Sequence, residues 1–192
     1  MSESSHFKLY KPFGMLSQLT SSEKRQVRKK KFLGELYDFP PGIMPIGRLD
    51  EKSEGLLLMT TDGKLSNHIN KANIAKEYYA QLDGVITTAA LIQLRKGVII
   101  GLFGKNYTTK PCQVAKLQGL PILPPADSKL RIGVHRPTSW ISITLTEGKF
   151  RQVRKMTAAV GFPTVRLVRV RIGTIGIGDM NIGDVLPTTL DF

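Results

Sequence analysis

The chain has 192 residues, enough for one substantial core or for two lobes sharing a sheet. Its 28 Lys and Arg against 15 Asp and Glu give a formal net charge of +13, which points to a polyanionic partner, nucleic acid first, and suits a neutral substrate poorly. A single cysteine, Cys112, excludes an intramolecular disulfide and a Cys-rich zinc site; no apolar run reaches the ~20 residues of a spanning helix, and the opening Met1-Ser2-Glu3-Ser4-Ser5-His6 does not read as a signal peptide, so the cytoplasm is the expected compartment.

In chain order the predicted elements mix α and β. Residues 7–10 read as a short strand running into the turn Lys11-Pro12-Phe13-Gly14. Residues 21–31 are cationic, carrying Lys24, Arg25, Arg28, Lys29, Lys30 and Lys31, and are expected to be exposed and mobile, either as a solvated loop or as an arm on phosphates. Asp50 follows Pro45-Ile46-Gly47-Arg48-Leu49, and the chain turns apolar only after Gly55, which sets the carboxylate at an edge or cleft rather than in a core. Read alone it is an Asp in a turn, where local hydrogen bonding favours that residue. The apolar run 55–61 reads as a buried strand, after which Asp62 can cap a helix over 64–69. Residues 76–82 form a strand ending at Asp83-Gly84, and Thr87 or Thr88 opens a helix through Leu94 that closes near Gly97. The stretch with Pro121, Pro124 and Pro125 is a loop between lobes or strands, the best candidate for a hinge or an insertion. Residues 140–146 are a strand, 150–160 a helix ended by Gly161, and 165–172 a strand.

At about 100° per residue, Arg151, Arg154 and Lys155 fall on one face of the late helix, and Phe150, Val153, Met156 and Val160 on the other. This is an amphipathic helix with a cationic ridge, a pattern that a solvated surface helix also gives. Tyr78 and Tyr79 lie on a strand, where sheet-filling aromatics are common. His6, His68 and His135 are scattered singly and read as surface or packing residues, as does Cys112. The glycines near 101 and 104 and from 173 to 178 lack the context of a dinucleotide fingerprint, and no Walker loop is present, so chemistry without metal or cofactor is expected.

Four blocks then stand in a fixed order: Lys11-Pro12-Phe13-Gly14; Gly47-Arg48-Leu49-Asp50 with its Leu-rich strand and Asp62-Gly63 turn; Lys76-Glu77-Tyr78-Tyr79; and Glu147-Gly148-Lys149-Phe150-Arg151-Gln152-Val153-Arg154-Lys155-Met156. Together with Val160-Gly161-Phe162-Pro163 they resemble the RsuA/RluE family of pseudouridine synthases over almost the whole chain, and residues 137–169 resemble the RluE-like branch. The resemblance implies an α+β pseudouridine synthase fold: a central, mainly antiparallel mixed sheet with flanking helices and two lobes around a basic catalytic cleft. It implies a single catalytic domain over 1–192 without a separate N-terminal RNA-binding domain. The activity implied is isomerisation of a specific uridine in ribosomal RNA, foremost 23S rRNA, with base flipping and no cofactor.

By the same resemblance, Asp50 is the catalytic carboxylate, Tyr78 stacks on the target base, and Arg154 approaches the aspartate and holds it ionised and oriented. Arg48 contacts the flipped nucleotide or its phosphates, and Lys11, Lys76, Arg151 and Lys155 are further RNA contacts. The implied partner is ribosomal RNA or a large-subunit assembly intermediate, met by a cytoplasmic monomer that binds no membrane. The reaction breaks the bond between ribose and uracil nitrogen, turns the base, and rejoins it through carbon. It therefore needs an ionised carboxylate, a pocket that retains the uracil, and an unstacked target. Asp50 would attack the sugar carbon or remove a ribose proton; both routes stay open. Two other readings compete. One is a noncatalytic ribosome-assembly protein retaining the fold; the other is a hydrolase, for which Glu51, Glu54 or Asp62 would have to supply a second carboxylate.

Overall fold

The computed structural model describes residues 4–134 and 136–191, and in it the chain divides into two units. The first runs to Ile74 and resumes at Arg169; the second is Ala75–Val168. His135 and residues 1–3 of the opening segment lie outside the described residues.

The first unit begins with β1 (His6–Lys11), β2 (Met15–Leu16), α1 (Lys24–Lys29), β3 (Lys31–Phe32), β4 (Met44–Ile46), β5 (Glu54–Thr60) and α2 (Gly63–Lys71). All seven residues of β5 are buried, as its continuous apolar run predicts. β1 lies antiparallel to it from His6 opposite Thr60 to Lys11 opposite Gly55, and β4 pairs with its last three residues. Alternate residues Phe7, Leu9, Leu57 and Met59 join Met15, Leu33 and Ile43 in one core. Each such side chain, fully buried, contributes about 1.5–3 kcal/mol. α2 starts as expected: the Asp62 carboxylate accepts from the amides of Lys64 and Leu65, two donors that a helix N-terminus otherwise leaves unpaired.

The second unit holds β6 (Lys76–Asp83), α3 (Thr88–Lys96), β7 (Ile99–Leu102), β8 (Lys105–Thr108), β9 (Gln113–Lys116), β10 (Thr138–Leu145), α4 (Gln152–Ala159) and the start of β11 (Thr164–Ile172). β10 is antiparallel to β6 along its whole length and to β9 on its other side. Ala80, Leu82, Leu94, Ile141, Ile143 and Met156 form the centre of this unit's core. β11 carries the chain back into the first unit, where β12 (Ile175–Gly176) folds onto Arg171 and Ile172, and β13 (Val185–Pro187) lies antiparallel to β1. The ladders β1–β5, β1–β13, β4–β5, β6–β10, β9–β10, β7–β8 and β11–β12 are antiparallel and β2–β3 is parallel, so the fold is α+β with mixed, mainly antiparallel pairing.

Of the two places expected for it, between lobes or between strands, the Pro121 to Pro125 loop takes the second, wholly inside the second unit between β9 and β10. Two expectations are corrected. The cationic segment is not a mobile arm throughout: it forms the short helix α1, all of it without buried residues, and Lys30 beyond it is tied to Glu51 at 2.8 Å. The late helix starts at Gln152 rather than at residue 150, because Arg151 takes a left-handed φ of 52° and cannot continue a right-handed turn.

Candidate active site

Asp50 sits half-buried in the loop between β4 and β5, and the backbone on both sides of it is fixed. The buried Ser17 hydroxyl donates to the Leu49 carbonyl at 2.7 Å and accepts from the Leu49 amide at 2.9 Å, holding both polar groups of the preceding residue. The Ser53 amide donates to the Asp50 carbonyl at 3.0 Å, closing a turn over the loop. The next carbonyl, of Glu51, accepts from the Gly14 amide at 2.8 Å and from Lys11 Nζ at 3.3 Å. Lys30 Nζ donates to both Glu51 carboxylate oxygens at 2.8 Å. Arg48 is exposed on the same loop, and a cavity of about 420 Å³ is lined by Ser17, Gln18, Pro45, Gly47, Arg48 and Asn70 among others.

Ser17 carries no sequence signal beyond a hydroxyl shortly after the first block, and it is the group that composition and spacing miss. Ser17→Ala leaves two buried backbone groups unpaired, and a buried unpaired group costs about 1–3 kcal/mol. We expect that variant to lose stability by that order and turnover by roughly 10-fold through displacement of the Asp50 loop. Denaturant unfolding and single-turnover rates measure the two effects, and unchanged turnover would remove Ser17 from the positioning of Asp50.

Lys11 was expected at an RNA phosphate, and the structure corrects this. Its side chain has no exposed surface, and Nζ donates to the carbonyls of Pro12 at 2.8 Å, Met15 at 2.7 Å and Glu51 at 3.3 Å. Burial pushes the ammonium down from 10.5 to about 7, against the pull of the Glu54, Glu51 and Asp50 carboxylates. Between about pH 7 and 10.5 the unfolded chain thus binds more protons at this group than the folded one, so its contribution to stability rises with pH. Lys11→Met removes that slope. Unfolding free energies at pH 7.5 and 9.5 should show wild type gaining on the variant as pH rises, and parallel curves would contradict the assignment.

In the second unit β6 presents Lys76 and Tyr78, both half-buried, and Tyr78 lies opposite Ile143 with its ring packed against the unit's core. α4 presents Arg154, whose Nη1 donates to the Thr164 carbonyl at 3.1 Å. The expected cationic ridge is not a set of three equivalent solvated charges. Arg151 precedes the helix, Arg154 is half-buried, and Lys155 Nζ donates to the Gly101 carbonyl at 2.7 Å. Phe150, expected on the apolar face, is 56% exposed. Glu147, in the same block, accepts from Tyr107 Oη at 2.6 Å, from the Lys110 amide at 2.9 Å and from Gln152 Nε2. Burial opposes its ionisation, but these donors and the Lys149 charge outweigh it and hold the carboxyl below its usual range.

The remaining titratable candidates do structural work. Cys112 Sγ donates to the Leu94 carbonyl at 3.2 Å, and burial pushes its thiol up to about 11, which keeps it protonated and inert. His6 Nδ1 lies 2.9 Å from Thr60 Oγ1, and His68 is exposed on α2. Of the carboxylates nominated as a second acid, Glu51 is bound by Lys30, Asp62 caps α2, and Glu54 is buried in β5.

Comparison with known proteins agrees with this arrangement of blocks. The profile of the RNA pseudouridylate synthase family matches residues 5–159. The chain is 39% identical over 177 residues to the ribosomal large subunit pseudouridine synthase E of Xanthomonas campestris pv. campestris, covering 91% of this chain and 90% of that one. It is 33% identical over 186 residues to the ribosomal large subunit pseudouridine synthase B of Bacillus subtilis, covering 96% of this chain and 68% of the relative. Its fold matches a crystal structure of a pseudouridylate synthase with a TM-score of 0.76 at 24% identity, over 98% of this chain and 72% of that one.

Proposed function

Because the chain belongs to the RNA pseudouridylate synthase family, we infer that it isomerises uridine to pseudouridine in ribosomal RNA, with Asp50 as the catalytic carboxylate. The observation that carries the role of Asp50 is its loop: Leu49, Asp50 and Glu51 are each held through the backbone by residues remote in sequence or by the turn itself, which fixes the position from which the Asp50 carboxylate acts. A carboxylate held this way needs no reorganisation at the moment of reaction.

In this reading the target uridine leaves its stack at a cost of a few kcal/mol, which stacking on Tyr78 and contacts from Arg48 and Lys76 offset. Asp50 attacks the sugar carbon or takes a ribose proton; the freed uracil turns while enclosed and rejoins through carbon. Arg154 supplies a planar cation to the site. Arg154→Lys keeps the charge and loses the fork, so turnover should fall by roughly 10- to 100-fold; a variant within two-fold of wild type would exclude Arg154 from the mechanism.

The reading takes 23S rRNA or a large-subunit assembly intermediate as substrate and the protein as a cytoplasmic monomer. Its support is the naming of the relatives, the +13 charge, and the lack among the described residues of any helix long and apolar enough to cross a membrane. It also takes the two units as one catalytic domain, supported by a family match that includes residues of both. The hydrolase alternative loses its second carboxylate to the engagements of Glu51, Glu54 and Asp62. The test is tritium release from C5-tritiated, unmodified ribosomal RNA, since forming a carbon link at C5 expels that hydrogen. Release supports the isomerase; its absence with tight RNA binding supports an assembly protein.

A further inference from the structure

The tip of the β7–β8 hairpin is locally unfavourable on two counts. Leu102 pairs with Lys105, so the loop is the two residues Phe103-Gly104, with φ of 49° and 80°. Two-residue loops with positive φ at both positions are commonly Asn-Gly, because a bulky side chain there is strained. Phe103 occupies the first position nonetheless, and it is 87% exposed. Its ring lies 6.1 Å from that of Phe150, with the planes 27° apart. Phe150 in turn precedes Arg151, the other non-glycine residue with positive φ among the described residues.

The surroundings hold this pair of rings in place. Glu147 and Gln152 bind one another, and Gln152 Oε1 accepts from the Lys149 amide at 2.9 Å, which fixes the turn that displays Phe150. Tyr107 of β8 is tied to the same Glu147, joining hairpin to turn. Lys155 Nζ anchors on Gly101 and stands 5.1 Å from the Phe150 ring centroid, and Lys149 Nζ stands 5.0 Å from the Tyr107 centroid. Lys105 and Lys149 are exposed beside them. Strain at two backbone positions and two water-exposed aromatic rings persist together only where the surroundings over-determine them, the pattern expected of a binding element.

We propose that Phe103 and Phe150 form a stacking platform for an unpaired base of the RNA substrate, with Lys105, Lys149 and Lys155 on the flanking phosphates. The proposal rests on the reading of RNA as substrate. The lysines around the rings complement a polyanion, and an aromatic face accepts any base, so this contact strengthens binding without choosing sequence. Base-edge contacts elsewhere would do the choosing.

The experiment is fluorescence anisotropy with a labelled single-stranded oligouridine at low salt, for wild type, Phe103→Asn and Phe103→Trp. Phe103→Asn places the favoured Asn-Gly pair in the turn, so its thermal midpoint should equal or exceed that of wild type while affinity falls roughly 5- to 100-fold. Phe103→Trp should bind within a few-fold of wild type. Wild-type affinity in Phe103→Asn overturns the proposal. So does a change in self-association by sedimentation with affinity intact, which would assign the rings to a protein contact. Tritium release by wild type, run in parallel, separates the two claims: no release with the affinity loss present overturns the isomerase and supports the platform.

Discussion

Asp50→Asn should lower tritium release from C5-tritiated ribosomal RNA by at least about 10³-fold while the protein folds and binds RNA as before. Asparagine keeps the shape of the side chain and removes its ability to attack carbon or accept a proton. The loop should survive the change, because contacts to the Leu49 amide and carbonyl, the Asp50 carbonyl and the Glu51 carbonyl fix it through the backbone. Affinity for RNA should be equal or slightly higher, since a negative charge is lost beside a polyanion. Matched melting curves and binding isotherms make a loss of turnover chemical rather than structural. A variant that keeps a tenth of wild-type release would end the case for Asp50, and a wild type that releases nothing would end the case for the isomerase.

Gly97→Ala should cost about 3–5 kcal/mol of stability, the largest single-methyl effect in the second unit. Gly97 ends α3 with φ 96° and ψ 150°, a region open to glycine alone. A Cβ there would stand 2.2 Å from the Thr109 carbonyl oxygen. That oxygen cannot retreat cheaply, because Thr109 is buried and doubly tied to Val98, by its amide to the carbonyl at 3.0 Å and by its hydroxyl from the amide at 2.9 Å. Gly101→Ala is the control, with nothing within 4 Å of the added carbon and no positive φ. Thermal unfolding should separate the two variants by roughly 6–20 °C, and coincident melts would refute the steric account.

What could be read in the sequence depended on whether a residue's own neighbours determined its state. The buried β5, the Asp62 cap, the Thr87 start of α3 and its Gly97 stop are local signals, and each is found where periodicity and turn chemistry put it. The β7–β8 hairpin escaped because Phe103-Gly104 lacks the usual turn signature and reads as part of an apolar stretch. The start of α4 was misjudged because periodicity cannot register a left-handed Arg151, which turns Phe150 outward. The Lys11 block alone suggests a cation for phosphate, yet Lys11 lies opposite Gly55, which has no side chain, and the carbonyls of Pro12, Met15 and Glu51 surround its ammonium. Asp50 was legible only through the company of ordered blocks; Ser17, which fixes the residue before it, was not legible at all, since its partner lies across a loop.

Of the groups that clamp the Asp50 loop, Lys11 ends β1, Gly14 lies in the turn after it and Ser17 follows β2, and β1 pairs both with β5 and with β13. Among the described strands, β1 is made first and β13 last. Until β13 emerges, β1 remains an unfinished edge, and Lys11 and Ser17 belong to a unit whose final strand is missing. A nascent chain can therefore hold Asp50 and the side chains that clamp its loop before β1 has both of its neighbours, so the clamp on that loop is complete only once β13 has been made.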